Sequence, residues 1–125
     1  MGKKVRVLFV DDEEIIVNAA TGILENYNYN VIATTDSNEA FEYFSKDPDK
    51  FHIVVTDLNM PVLTGMELVK KIKKIRPHIP VIVCSGSVED INPLRTEEMG
   101  INSFIAKPYR GKELASMIED ILKKK

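Results

Sequence analysis

Four acidic residues in a row, Asp11, Asp12, Glu13 and Glu14, follow the apolar run Val5 to Val10. A second run, Ile53 to Val55, leads to Asp57 and then Leu58-Asn59-Met60-Pro61. A third, Val81 to Cys84, ends in Ser85 and Gly86, and a fourth, Phe104 to Ala106, ends in Lys107 and Pro108. Each residue alone has an ordinary explanation. Asp11 or Asp12 can cap a helix, Ser85 suits a turn, and Lys107 suits a surface. Asp57 is harder to explain away, because a carboxylate ending a buried strand must be hydrated, paired or metal-bound. Brought together, Asp11, Asp12, Asp57 and Lys107 would carry a formal charge of −2, and close carboxylates repel unless a cation joins them. Hard oxygen ligands without His or Cys favour Mg²⁺, with Mn²⁺ as the variant, over zinc. A magnesium ion with few protein ligands takes water or phosphate oxygens, so the chemistry implied is phosphoryl handling.

The elements that must position these residues follow from the apolar pattern. Short runs at Val5 to Val10, Val31 to Ala33, Ile53 to Val55, Val81 to Cys84 and Phe104 to Ala106 are rich in Val and Ile and do not strictly alternate. That is the pattern of strands covered on both faces of a parallel sheet. Between them, helical stripes run through Ile15, Ile16, Ala19, Ala20, Ile23 and Leu24, then Ala40, Phe41 and Phe44, then Leu68, Val69 and Ile72. The last stripe is Leu114, Met117, Ile118, Ile121 and Leu122. Asp36 with Glu39 and Thr64 with Glu67 have capping-box spacing, while Asp47-Pro48-Asp49 and Gly100 read as loop or stop signals. A long loop is expected over 86–91, then a short helix over 93–99 with Asn92 as N-cap and Pro93 at its first position. The sum is an α/β fold, (βα)5: a five-stranded parallel sheet with helices on both faces and right-handed crossovers. Such sheets bind ligands outside the carboxyl ends of their strands, where the acids, Ser85 and Lys107 stand. The second strand ends in Thr34 and Thr35, to which no role is assigned.

Composition narrows the function. The chain has 125 residues, 44% hydrophobic and 29% charged, which fits one globular domain and no disordered or membrane-spanning class. Seventeen basic against nineteen acidic residues give no reason to expect a nucleic-acid groove or a membrane anchor. Setting aside Asp11, Asp12, Asp57 and Lys107 leaves 16 basic and 16 acidic side chains, a balanced scaffold with a concentrated anionic site. The one cysteine, Cys84, excludes a disulfide framework and reads as a buried structural thiol. No signal peptide or myristoylation pattern is present, and a soluble cytoplasmic protein is expected. His52 and His78 precede strands, at the end opposite the acids, and are not assigned as ligands. Lys70, Lys71, Lys73, Lys74 and Arg76 read as a solvated helix face, and Met66 and Met117 as core.

Taken in order, "VLFVDDEE", "IVVTDLNMPVLTG", "VIVCSG" and "FIAKPY" resemble the receiver domain of two-component response regulators, over nearly the whole chain. The likeness is to the single-domain, chemotaxis-regulator type; residues 1–125 are expected to form one receiver domain with no output domain, either a stand-alone receiver or a piece excised from a larger regulator or hybrid kinase. The resemblance implies a flavodoxin-like sheet of order 2-1-3-4-5. It implies Asp57 as phosphoacceptor, taking the phosphoryl group from a histidine kinase or a histidine phosphotransfer domain. Asp12, Asp57 and the backbone carbonyl of Asn59 would bind Mg²⁺, with Asp11 acting through a water. Lys107 would pair with the phosphoryl group, and Ser85 would hydrogen-bond it and move inward, vacating space for Phe104. The output surface would be the fourth helix, fifth strand and fifth helix, read by a downstream protein. Nucleic acid and membrane are not expected partners. The domain would be a phosphoprotein of the phosphorelay rather than an enzyme, promoting only its own phosphoryl transfer and dephosphorylation. Phe104 replaces the tyrosine common at the switch position, and the alternative is that it stays permanently in the core. Two other readings are a pseudo-receiver binding module and a magnesium-dependent aspartyl-phosphate phosphatase. The phosphatase pattern wants Asp two residues after its nucleophile, where this chain has Glu13 and Glu14.

Overall fold

A computed structural model of the chain describes residues 4–86 and 97–123. Five strands, β1 (Arg6–Val10), β2 (Asn30–Thr34), β3 (Ile53–Asp57), β4 (Val81–Ser85) and β5 (Ser103–Ala106), form one sheet of order β2-β1-β3-β4-β5. All four pairings are parallel, with Val7 opposite Val31 and Ile53, and Asp57 opposite Cys84. The expected α/β architecture and strand order are both present. The strands run to the chemistry-bearing residues more closely than the apolar runs imply: Asp57 and Ser85 are the last residues of their strands rather than the first beyond them.

Helices α1 (Glu14–Asn26), α2 (Ser37–Lys46) and α3 (Gly65–Ile75), and a last helix Gly111–Lys123, cover the sheet. Alternation along the central strands divides the core in two. Val7, Phe9, Ile53, Val55, Ile82 and Cys84 face α1 and the last helix, which bury Val17, Ala20, Leu24, Leu114 and Ile118. Leu8, Val10, Val54, Val81 and Val83 face α2 and α3, which bury Ala40, Phe44, Leu68, Val69 and Ile72. Both faces are therefore sealed, which is why these strands read as continuous Val/Ile runs. Cys84 is buried, and burial pushes its thiol up to about 12, so it stays protonated as a structural residue. Met66 and Met117 are partly buried and pack against the rims of the two cores rather than within them.

Two details of the helices differ from expectation. Ile15 does not belong to the buried stripe of α1: it is 84% exposed, and Val17 takes its place. Val17, Ala20 and Leu24 lie three and four residues apart on one face, and Ile15 falls off it. Thr64 and Glu67 form a complete capping box, but the pair at Asp36 is only half of one. Asp36 accepts from the amides of Asn38 (2.8 Å) and Glu39 (3.2 Å). The Glu39 carboxylate instead accepts the Thr34 hydroxyl at 2.6 Å, a charge-assisted bond at the end of β2.

Asp47 leads into a short 3₁₀ turn, Pro48–Lys50, and Gly100 (φ 74°) makes the expected stop in the left-handed region. Most of the loop and short helix expected over 86–99 lies at 87–96, outside the described residues; Glu97 and Glu98 are helical. His52, at the end of the sheet opposite the acids, accepts the Arg6 amide at 2.9 Å, and His78 is exposed there.

Candidate functional site

The carboxyl ends of β1 and β3 lie side by side at the point where the chain has crossed from one side of β1 to the other, so ligand-binding residues are expected between them. Asp11 is the first residue beyond β1. Its amide donates to the Thr34 carbonyl (3.3 Å), which ties it to the end of β2. Its Oδ1 accepts the Glu13 amide at 2.9 Å, so Asp11 organises the turn into α1, whose N-cap position falls to Glu13. Asp12, next to it, is exposed. Asp57 is buried at the tip of β3, and the loop behind it is held by two backbone bonds. Leu58 donates to the Cys84 carbonyl (2.8 Å) and Gly65 donates to the Leu58 carbonyl (2.9 Å). Gly65 has no substitute here, because a Cβ would collide with the Asp57 carbonyl oxygen and lie 2.8 Å from Leu58 Cα.

Lys107, one residue past β5, is fixed by its amide, which donates to the Ser85 carbonyl at 2.7 Å. Its ammonium reaches back across the strand ends to Asp11 Oδ2 (2.9 Å) and Asp57 Oδ2 (3.2 Å), with Glu13 Oε2 at 3.7 Å. The electrostatics are mutual. Burial pushes the Asp57 carboxyl above the usual carboxylate range, and the charge of Asp11 adds to this while Lys107 opposes it. Burial would lower Lys107, but its hydrogen bonds and ion pairs to Asp11 and Asp57 outweigh that and hold it above its ordinary value. One cation is shared among carboxylates whose charge it does not balance.

Asp11, Asp12 and Asp57 each offer a carboxylate oxygen, and the three lie within 4.8 Å of one another. Asp11 Oδ2 is buried, and apart from its ion pair it makes no hydrogen bond of good geometry. A hard divalent cation fits that donor set: three anionic oxygens, one of them with spare capacity, and no His or Cys among them.

A family model described as the response regulator receiver domain matches residues 7–119. The chain belongs to that family. Of its relatives, the 3',5'-cyclic-nucleotide phosphodiesterase regA of Dictyostelium discoideum is 33% identical over 95% of this chain. The response regulator SaeR of Staphylococcus aureus is 31% identical over 93% of it. The chain spans 15% of the length of the first and 50% of the second. Among solved structures, a response regulator receiver domain protein from Clostridium thermocellum superposes with a TM-score of 0.89 at 28% identity, covering 96% of this chain and 95% of that one. The receiver family serves two-component signalling rather than classical enzymology.

Of the residues singled out in the sequence, Asp11, Asp12, Asp57 and Lys107 meet at one receiver site. Ser85 is buried at the end of β4, and its carbonyl positions Lys107. Asn59 is exposed in the loop after β3. Phe104 is 41% exposed, so it is not the fully buried core residue of the alternative reading. Two participants had no assignment from sequence. Thr34 anchors Asp11 through its carbonyl, and Glu13 joins the Lys107 cluster. The signal for Glu13 was its place in the acidic run; for Thr34 it was the end of the second strand. No helix among the described residues is long and apolar enough to cross a membrane.

Proposed function

We propose that this receiver domain is a phosphorylation-controlled switch in which Asp57 accepts the phosphoryl group. One observation carries the reading: the Asp57 carboxylate lies 3.2 Å from the Lys107 ammonium and within 4.8 Å of the Asp11 and Asp12 oxygens. The Asp57 carboxylate is the nucleophile and becomes an acyl phosphate. Its raised pKa leaves it less stabilised as an anion than an ordinary surface Asp, and Lys107 offsets that penalty. Asp12, Asp57 and the Asn59 carbonyl hold Mg²⁺, with Asp11 acting through a water. The ion supplies charge neutralisation for the phosphoryl oxygens when bound. Lys107 pairs with the phosphoryl group across the site, and Ser85 donates its hydroxyl to it.

The donor is a histidine kinase or a histidine phosphotransfer domain in the cytoplasm. Inward movement of Ser85 and rotation of Phe104 alter the surface around β5 and the last helix, which a downstream protein reads. The partly exposed Phe104 ring supports this reading, because it stands where such a rotation would register. The test is labelling by acetyl phosphate with Mg²⁺, followed as a mass increase of one phosphoryl group. Wild type should label and Asp57→Asn should not. Labelling that survives Asp57→Asn would reject Asp57 as the acceptor.

A further inference from the structure

Glu13 occupies the N-cap position of α1 but does not cap it. Its side chain makes no hydrogen bond to the helix amides, and the turn is organised instead by Asp11 Oδ1 accepting the Glu13 amide at 2.9 Å. The carboxylate points to Lys107, with Oε2 3.7 Å from Nζ, and its side chain is 64% exposed while those of Asp11 and Asp57 are buried. Lys107 is already committed at shorter range to Asp11 and Asp57. Glu13 also stands outside the Asp11, Asp12 and Asp57 oxygen cluster, so a cation bound there would leave its charge uncancelled. With Lys107 it edges the groove between α1 and the start of the last helix, floored by Ile16, Ala20 and Tyr109. A phosphodonor that approaches Asp57 past Lys107 meets an anion only partly neutralised by its 3.7 Å pair with that lysine.

We propose that Glu13 is a specificity-determining residue for the phosphodonor, disfavouring donors that arrive as dianions and lose an anionic leaving group. The proposal rests on Asp57 being the acceptor. Two small donors separate the cases. Acetyl phosphate is a dianion near neutral pH. When an Asp57 oxygen bonds to its phosphorus, the P–O bond to the acetyl group breaks and acetate departs with the electron pair. Phosphoramidate is dipolar there, an ammonium on a phosphoryl dianion, with a net charge of −1. When the same oxygen attacks, the P–N bond breaks and the nitrogen, already carrying three hydrogens, departs as neutral ammonia. Repulsion from Glu13 acts on two net charges and an anionic departing group in the first, and on one net charge and a neutral departing group in the second.

The experiment measures labelling rates of the full chain with both donors at saturating Mg²⁺, for wild type, Glu13→Gln and Glu13→Asp. Glu13→Gln should raise the ratio of acetyl phosphate to phosphoramidate labelling about fivefold, the factor given by the one extra pair of unit charges a few ångströms apart in water. Phosphoramidate, with one net negative charge fewer, should gain less than acetyl phosphate on the same grounds. Glu13→Asp, which keeps the charge, should retain the wild-type preference. The Glu13→Gln gain should shrink in about 1 M salt, where the screening length falls to about 3 Å. Equal acceleration of both donors, no acceleration, or a gain undiminished by high salt would each overturn the proposal. Labelling of neither donor, or equal labelling of Asp57→Asn, would instead overturn the Asp57 assignment on which it rests.

Discussion

The Lys107 ammonium, carried on the residue after β5, lies 3.2 Å from Asp57 Oδ2 at the tip of β3, having crossed the end of β4 to reach it. It must also serve Asp11 at 2.9 Å, so neither carboxylate has a cation to itself. The strand ends are thus held together by an ion pair that leaves net negative charge behind, and the resting site is poised to gain from any added cation.

The first prediction concerns pH. The Asp57 carboxyl is raised above its ordinary value of 3.8, mainly by burial and then by Asp11. An acid raised on folding binds its proton more tightly in the native state, so its contribution to stability is complete below 3.8 and is lost as pH climbs through the raised value. Without divalent cations, stability measured by urea unfolding should therefore decline above about pH 4 through this group. Asp57→Asn removes the penalty, flattens that limb and should be the more stable protein at pH 7. An Asn variant with an unchanged pH profile would show that burial of Asp57 carries no such cost.

The second prediction concerns the cation. Binding to the native site alone stabilises by mass action, about 2.7 kcal/mol at one hundred times the dissociation constant. Mg²⁺ should raise the melting temperature of wild type in a saturable way. Asp12→Asn should shift the titration to higher Mg²⁺, because it removes the exposed member of the three-oxygen cluster without disturbing the buried pair. A titration identical in wild type and Asp12→Asn would place the ion elsewhere.

The sheet could be read from sequence because its strands are sealed on both faces, and continuous Val and Ile runs are what such burial requires. Asp57 stood out for the same reason: a charge ending a wholly buried run demands an explanation. The stripe of α1 was less legible. Ile15, Ile16 and Val17 are consecutive apolar residues, and only the tertiary core that Val17 joins selects it over Ile15. Glu13 could not be separated from its acidic neighbours, since its position depends on how far the Lys107 side chain extends from a distant part of the chain. The Thr34 hydroxyl was equally hidden, because its partner Glu39 was expected to close a capping box rather than reach back to β2.

The third prediction tests the support behind Asp57. Gly65 packs so tightly on the Asp57 carbonyl that a methyl group cannot fit without moving either β3 or the start of α3. Gly65→Ala should destabilise the fold by about 2 kcal/mol or more, the range for overpacking against a rigid backbone. It should also slow phosphoryl labelling, because the shift is passed to the Asp57 backbone. Gly22→Ala is the control, since a Cβ there meets nothing within 4 Å. In the middle of α1 it should be neutral or stabilising, by up to about 1 kcal/mol. Equal effects of the two substitutions would refute the close contact.

The fourth prediction lies in the same loop. Val62 has φ 68° and is 88% exposed, and the Leu63 amide donates to the Pro61 carbonyl at 2.8 Å across it, closing a tight three-residue turn. A β-branched residue in the left-handed region is strained by about 1–2 kcal/mol. Its side chain is almost wholly in solvent, so little packing repays the strain. Val62→Gly relieves it and gives back about 0.5–1 kcal/mol through the freer unfolded chain, leaving a net gain of about 0.5–1 kcal/mol. Val62→Ala, which keeps a Cβ at positive φ, should recover less than Val62→Gly. Urea unfolding of the three proteins gives the order directly: a glycine variant less stable than wild type would mean that the turn is not strained, or that the Val62 side chain is held by a contact formed in solution.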